Sequence, residues 1–378
     1  MSKRKKSKAV PIVLVLFILT LVCCLVCVFA PQLLNLEARQ GEILRKAQAE
    51  AEARNEVLKQ EHQAAVAEYQ SKTAVTESED WPAHKQEGWD IVDLSNYPLR
   101  SQITRTMTRA EVMNNGLLLV NQWHSRPDDF DDTALVGLGN YFSWKVQVND
   151  ASVSLFPVAA DALKHALDDA AREDLEHYIV AEGYRSWDTQ NSYFQARVNK
   201  LADKFTGDEL IEEAKKYVNY PGTSEFNSGL AFRLKLYDKN DSEINKAKFS
   251  TSSQGKWMNE HCWEYGLIFR FPLAGFPNPD TTDKSFVTGI SSELNLYRYV
   301  GVAHATIMHH LDLCLEEYIE YLEHHPHIAY FEDGQLQYEI FRQPIGEAST
   351  FDVILTDLAA DSVSSLDNMG GIVTVFEY

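Results

Sequence analysis

The sequence has few cysteines where a folded region would use them. Of its five, Cys23, Cys24 and Cys27 fall in one apolar run, leaving only Cys262 and Cys314 for the rest of the 378 residues. A disulfide-stapled scaffold is excluded, and the remaining pair reads either as one bridge or as two buried thiols. Basic charge is also scarce, with 35 Lys and Arg against 55 Asp and Glu and a formal net charge of −20. Nucleic acid is therefore excluded as a main partner, because binding a polyanion needs concentrated cations. No long Gly/Ser linker and no internal repeat divides residues 77–330. What it does have is apolar mass: 45% hydrophobic and 11% aromatic residues suffice for a real core.

The basic residues are unevenly placed. Residues 1–8, MSKRKKSK, hold five of them and no acidic one, so the other 370 residues carry 30 basic against 55 acidic. The next 22, AVPIVLVLFILTLVCCLVCVFA at 9–30, carry no charge. At about 1.5 Å per helical residue such a run spans a hydrocarbon core of roughly 30 Å. The expectation is a single-pass transmembrane anchor in the lipid bilayer of the cell membrane, with 1–8 cytoplasmic and the C-terminal domain extracytoplasmic; a cleaved signal peptide is the alternative. Residues 31–88, rich in Ala, Glu, Gln, Lys and Arg as far as about 76, read as a helical stalk and linker, either a solvated spacer or a dimer contact.

From 89 to 330 the pattern is α+β without regular alternation. Helices are expected over 160–180, 187–203, 207–217, 252–265 and 302–323, and strands over 229–236, 267–271 and 295–300. YEIFR, TFDVILT and GGIVTVF then point to a small C-terminal β unit at 331–378. His304, His309 and His310 lie on the last expected helix, with His324, His325 and His327 beyond its end. With Asp312 they can be weighed as metal ligands, but His304 has no clean i,i+4 partner in the 309/310 pair, and structural or surface roles are expected.

Four islands combine unusual polar residues with Gly or Pro: EGYRSWDTQ at 182–190, PGTSEFNSGLAFRL at 221–234, WMNEHCWEYGLIFRFP at 257–272 and TGISSELNLYRYVG at 288–301. In order and spacing they resemble the zinc-dependent D-alanyl-D-alanine carboxypeptidases of the VanY type, the peptidase M15 family that trims peptidoglycan stem peptides. The resemblance runs from LLLVNQWHSRPDDF at 117–130 to LEEYIEYL at 315–322 and implies an M15-like core. In that family Ser-acidic-His is followed by two residues, Gly-Leu-Ala, one residue and Asp, the His and Asp binding zinc. Here Ser224, Glu225, Gly229, Leu230 and Ala231 match, while Phe226 and Arg233 stand at the ligand positions. The family's Glu-Pro-Trp-His supplies a general base and a third ligand; here Glu293 is kept and Leu296 stands at the ligand position, followed by the matching Arg298 to Gly301.

Phenylalanine and leucine carry no ligand atom, and arginine stays cationic, so the resemblance implies a degenerate member without metal or cofactor. Arg185, Ser186, Gln190 and Ser224 are the implied peptide-binding residues, with Arg185 suited to grip a carboxylate. Arg233 is expected either to replace the ion's charge or to close the site as a salt bridge with Glu293. The expected function is a membrane-anchored pseudoenzyme, a binding or scaffold protein partnered by peptidoglycan stem peptides or another envelope protein. The alternative is an active stem-peptide carboxypeptidase using an unconventional or relocated site.

Overall fold

A computed structural model describes residues 81–378 apart from 347, together with 46 and 53. The strands in chain order are β1 (Trp89–Asp93), β2 (Gln102–Thr108), β3 (Val136–Gly137), β4 (Ser154–Leu155), β5 (Tyr178–Glu182), β6 (Ala231–Leu236), β7 (Leu267–Phe269), β8 (Leu296–Tyr299), β9 (His327–Glu332), β10 (Gln335–Pro344), β11 (Thr350–Thr356), β12 (Asp361–Leu366) and β13 (Gly371–Glu377). The longer helices are α1 (Pro157–Arg172), α2 (Trp187–Leu201), α3 (Gly207–Lys215), α4 (Ser253–His261), α5 (Val302–Leu311) and α6 (Leu315–His324).

Two sheets organise the main unit, which among the described residues holds 81–194 and 218–378. The first has the order β5-β6-β8-β7 and is antiparallel throughout. Its buried side chains Val180, Phe232, Leu234 and Tyr297 share a core with Leu163 and Ala166 of α1 and Met258 of α4. Helix α1 starts at Pro157, whose missing N–H is harmless in a first turn, and presents small Ala residues that let it lie close to the sheet. It ends at Arg172, earlier than the expected 180, and Asp174 and His177 take positive φ before β5 begins.

The second sheet has the order β1-β9-β10-β13-β12. Ile328, Ile340 and Val373 pack with Ile307 of α5 and Tyr318 and Leu322 of α6. The C-terminal strands thus share sheets with strands far earlier in the chain: β1 pairs with β9, and β2 pairs with β11 as a two-stranded ribbon.

The helix expected over 302–323 is two helices. Asp312 adopts left-handed φ and ψ, and Leu313 N–H donates back to the Met308 carbonyl, which closes α5. Cys314 then starts α6, its backbone N–H donating to the Glu317 carboxylate. Cys262 and Cys314 are both buried free thiols. Residues Gln195–Tyr217 belong to a separate unit. They hold the end of α2 and all of α3, on which Leu210, Ile211 and Ala214 are buried while Lys215–Glu212 and Lys216–Glu213 pair along the surface.

One part of the expected architecture is corrected. The anchor at 9–30 and nearly all of the stalk lie outside the described residues, and among the described residues no helix is long and apolar enough to cross a membrane. The transmembrane span is therefore withdrawn, and with it the lipid-bilayer partner and the single-pass cell-membrane localisation. The α+β core stands.

Candidate functional site

The site grows from the register of the first sheet. Glu182 on β5 lies opposite Arg233 on β6, and Arg233 lies opposite Leu296 on β8. A bulge between Val180 and Glu182 re-aims the end of β5 just before the EGYRS turn. Gly183 is required there, since a Cβ would sit 2.5 Å from the Ser154 carbonyl oxygen. Facing this row is the tight turn Glu225–Ser228, closed by Gly229 at φ +70, against which Phe156 is packed. Asn227 Nδ2 donates to the Arg185 carbonyl at 2.7 Å and Arg185 N–H donates to the Phe226 carbonyl at 2.9 Å. Those two bonds tie the two islands together.

The side chains form a row of alternating charge. Arg185 Nε donates to Glu182 Oε1 at 2.6 Å, Arg233 Nε is 3.9 Å from Glu182 Oε2, and Arg233 Nη2 meets Glu293 Oε2 at 2.8 Å. Both guanidinium groups lie over the Phe226 ring, at 4.2 Å for Arg185 and 5.4 Å for Arg233. Phe226 itself is buried in an apolar cluster with Leu296, Ala231 and Phe271. The row is half-buried, with Arg233 and Glu293 side chains 23% and 30% exposed, so it can meet a ligand. Arg233 Nε is buried without a hydrogen-bond partner.

The remaining expected residues take supporting places. Gln190 is fully buried, accepts from Arg185 Nη1 at 3.0 Å and donates to the Asn219 carbonyl at 2.7 Å, which fixes the Arg185 fork. Ser186 caps α2, its Oγ accepting from Thr189 N–H. Ser224 is buried: its backbone N–H donates to Asn227 Oδ1, and its carbonyl accepts from Asn227 N–H. Beside Arg185, Tyr184 accepts from Arg126 and donates to Asp132, and burial together with that carboxylate pushes its hydroxyl up to about 12.

Behind the row lies a network that sequence reading missed. Glu225, next to Phe226, is buried and meets both Arg270 and Arg298, each fully buried. Arg270 grips Glu316 with both terminal nitrogens, at 2.9 and 2.7 Å, and Asn121 donates to Glu316 Oε1. Arg298 also donates to the carbonyls of Gly116 and Leu118. Burial works against the Arg270 charge, but Glu316 and Glu225 outweigh it and hold the group more firmly cationic than usual. The available signal was an acidic residue inside an apolar island, followed 45 and 73 positions later by arginines in strand-like runs.

The residues expected at the metal-ligand positions do not fit zinc. A phenyl ring and an isobutyl group present no donor, and Arg233 is a cation paired with Glu293. Nor are the histidines gathered elsewhere. His304 is buried against Tyr318, His309 stacks on Trp263, His310 on Trp89, His325 meets Asp93, and His327 meets Glu339. Among the described residues no group of three or more His, Cys, Asp or Glu is placed to hold a metal ion.

Comparison with known proteins gives this geometry a lineage. The VanY family model, D-alanyl-D-alanine carboxypeptidase, matches residues 152–302, which contain the whole charged row. A D-alanyl-D-alanine carboxypeptidase of Enterococcus faecium is 28% identical over 274 residues, covering 72% of this chain and 78% of that protein. The putative carboxypeptidase YodJ of Bacillus subtilis (strain 168) is 31% identical over 232 residues, 60% of this chain and 77% of the relative. The fold is also that of the vancomycin-resistance D,D-dipeptidase VanXYg, solved in complex with a D-Ala-D-Ala phosphinate analogue: TM-score 0.56, 22% identity, 73% of this chain and 99% of that one. Because these curated relatives are carboxypeptidases by name, the expectation of a membrane-anchored pseudoenzyme that only binds or scaffolds is overturned. The chain belongs to the VanY D-alanyl-D-alanine carboxypeptidase family.

Proposed function

We propose that the protein is a carboxypeptidase acting on peptidoglycan stem peptides through an unconventional site, the row Arg185–Glu182–Arg233–Glu293, without the zinc ligands of its family. The observation that carries this reading is the 2.8 Å contact of Arg233 with Glu293 in a half-open position, inside the segment matched by the family model. In this reading Phe226, Arg233 and Leu296 stand where the family binds its ion, and Glu293 keeps the place of the general base.

The chemistry follows from the side chains. Glu293 takes a proton from water as the oxygen attacks the scissile carbonyl carbon, and Arg233 stabilises the negative charge that develops on the carbonyl oxygen. The proton then passes to the departing amine nitrogen and the C–N bond breaks, leaving a shortened peptide carboxylate and free D-alanine. A positioned base contributes roughly 10²–10⁴-fold and one oxyanion donor roughly 10²–10³-fold. Together these fall at the low end of enzymatic accelerations, which begin at about 10⁶. Turnover is therefore slow.

The test is D-alanine release from a stem pentapeptide over hours, with and without a strong chelator. The expected result is slow release that the chelator leaves unchanged and that Glu293→Gln abolishes. No release by the wild-type protein, or release that survives in Glu293→Gln, sinks the reading.

A further inference from the structure

We infer that Glu182 is a built-in competitor for the ligand's terminal carboxylate, and so the residue that sets how strongly this site prefers a free acid at the peptide end. The inference rests on the stem-peptide reading above but concerns a different residue and a different observable.

Three features of the row carry it. Glu182 Oε1 occupies the Nε of Arg185 at 2.6 Å, and the same guanidinium is held on its other side by the fully buried Gln190. The fork is thus fixed in place over Phe226 with one of its anion-facing donors already taken. Glu182 Oε2 lies toward Arg233 but stops at 3.9 Å, beyond hydrogen-bond reach, and the Arg233 Nε stays buried and unpartnered. One carboxylate is therefore shared between two cations and fully satisfies neither. Third, the row is balanced: two guanidinium groups face the two carboxylates of Glu182 and Glu293. An incoming carboxylate meets no net positive charge unless Glu182 withdraws from Arg185.

Withdrawal is feasible. The Glu182 side chain is 22% exposed at the end of a strand, beside a bulge, so it can rotate to water with little loss. A ligand carboxylate taking its place would reach Arg185 and stand on the side of the unpartnered Arg233 Nε. It would thereby replace a shared counter-ion by one that serves both arginines. The residue preceding Gly183 is thus a specificity-determining position, reached through Arg185 rather than through the reacting atoms.

The test compares an N-acetylated L-Lys-D-Ala-D-Ala peptide with its C-terminal amide by calorimetry, on the wild-type chain and on Glu182→Gln. The wild-type protein is expected to bind acid and amide within about threefold of each other, because Glu182 offsets the charge that would tell them apart. Glu182→Gln is expected to favour the acid by about tenfold or more, as freeing one charge-assisted bond implies. Glu182→Ser provides the same readout if the glutamine variant fails to fold. An acid-to-amide ratio that does not change between wild type and variants overturns the inference, as does absence of binding by all of them. D-alanine release is scored separately: a shifted ratio without release defeats the carboxypeptidase reading and leaves the role of Glu182 standing.

Discussion

Two sets of two arginines and two glutamates meet at the turn Glu225–Ser228, one including Glu225 and the other laying its arginines over Phe226. Glu225, Arg270, Arg298 and Glu316 are sealed, each 9% exposed or less, while Glu182, Arg185, Arg233 and Glu293 remain 15–30% open. The composition is the same, but the energetics are not. In the sealed set every carboxylate meets a guanidinium directly, since removing charges from water is tolerable only with close pairing. The open set tolerates a 3.9 Å gap between Glu182 and Arg233 because its charges are partly exposed to water; an unpartnered buried Nε occurs in both sets, on Arg233 and on Arg298. Burial thus separates a charge network that holds structure from one free to respond to a ligand, and the tests below press on that difference.

The largest expected effect is on the sealed set. Glu225→Ala leaves the buried Arg298 without a carboxylate and Arg270 with Glu316 alone, and should lower unfolding free energy by about 3–5 kcal/mol, read by urea denaturation. A loss under 1 kcal/mol would erase the contrast. Acid should act on the buried side of the molecule as well. Burial depresses His304 to about 3, so the folded state holds it neutral. Its contribution is fully present above about 6.5 and is lost progressively as pH falls toward 3, on the order of a few kcal/mol. His304→Phe should flatten thermal midpoints over that window; an unchanged acid slope would show that other groups set it. The open set should behave oppositely. Glu293→Gln is expected to change stability by less than about 1 kcal/mol while abolishing D-alanine release, which separates ligand chemistry from folding. Smallest of all, raising salt from 0.1 to 1 M should shift the stability of Arg233→Leu and wild type toward each other by a few tenths of a kcal/mol, because only exposed pairs are screened.

How much of this could be read beforehand depends on chain distance. The EGYRS and SEFNSGLAFR stretches identified Arg185, Phe226 and Arg233, and the structure brings these together with Glu293 and Leu296, because residues in one short motif or on neighbouring strands share local register. Helix α1 was legible from its Ala and Leu spacing, although its end was not. Three things escaped. The pairing of Glu225 with Arg270 and Arg298 depends on three-dimensional closure that no window of sequence contains. The break between α5 and α6 rests on one left-handed residue, Asp312, in a stretch with otherwise continuous helical pattern. And the capping of α2 by Ser186, a role that hydroxyl residues often fill, was not read beforehand.

The pairing of β1 with β9 and of β2 with β11 sets a schedule for biosynthesis. Strand β2, at Gln102–Thr108, has its ladder partner at Thr350–Thr356. At about 5–20 residues per second a ribosome needs roughly 12 to 50 seconds to deliver that partner after β2 has emerged. Throughout that interval the edge of β2 is unpaired, and that of β1 until β9 is complete at Glu332, which is the condition in which strands find wrong partners. The sheet β5-β6-β8-β7 that carries the charged row has all its strands by Tyr299 and so can form earlier. A truncation that removes β11, at or before Thr350, would therefore leave the site's own sheet intact in sequence while leaving β2 without its partner, and its expected signature is aggregation during expression.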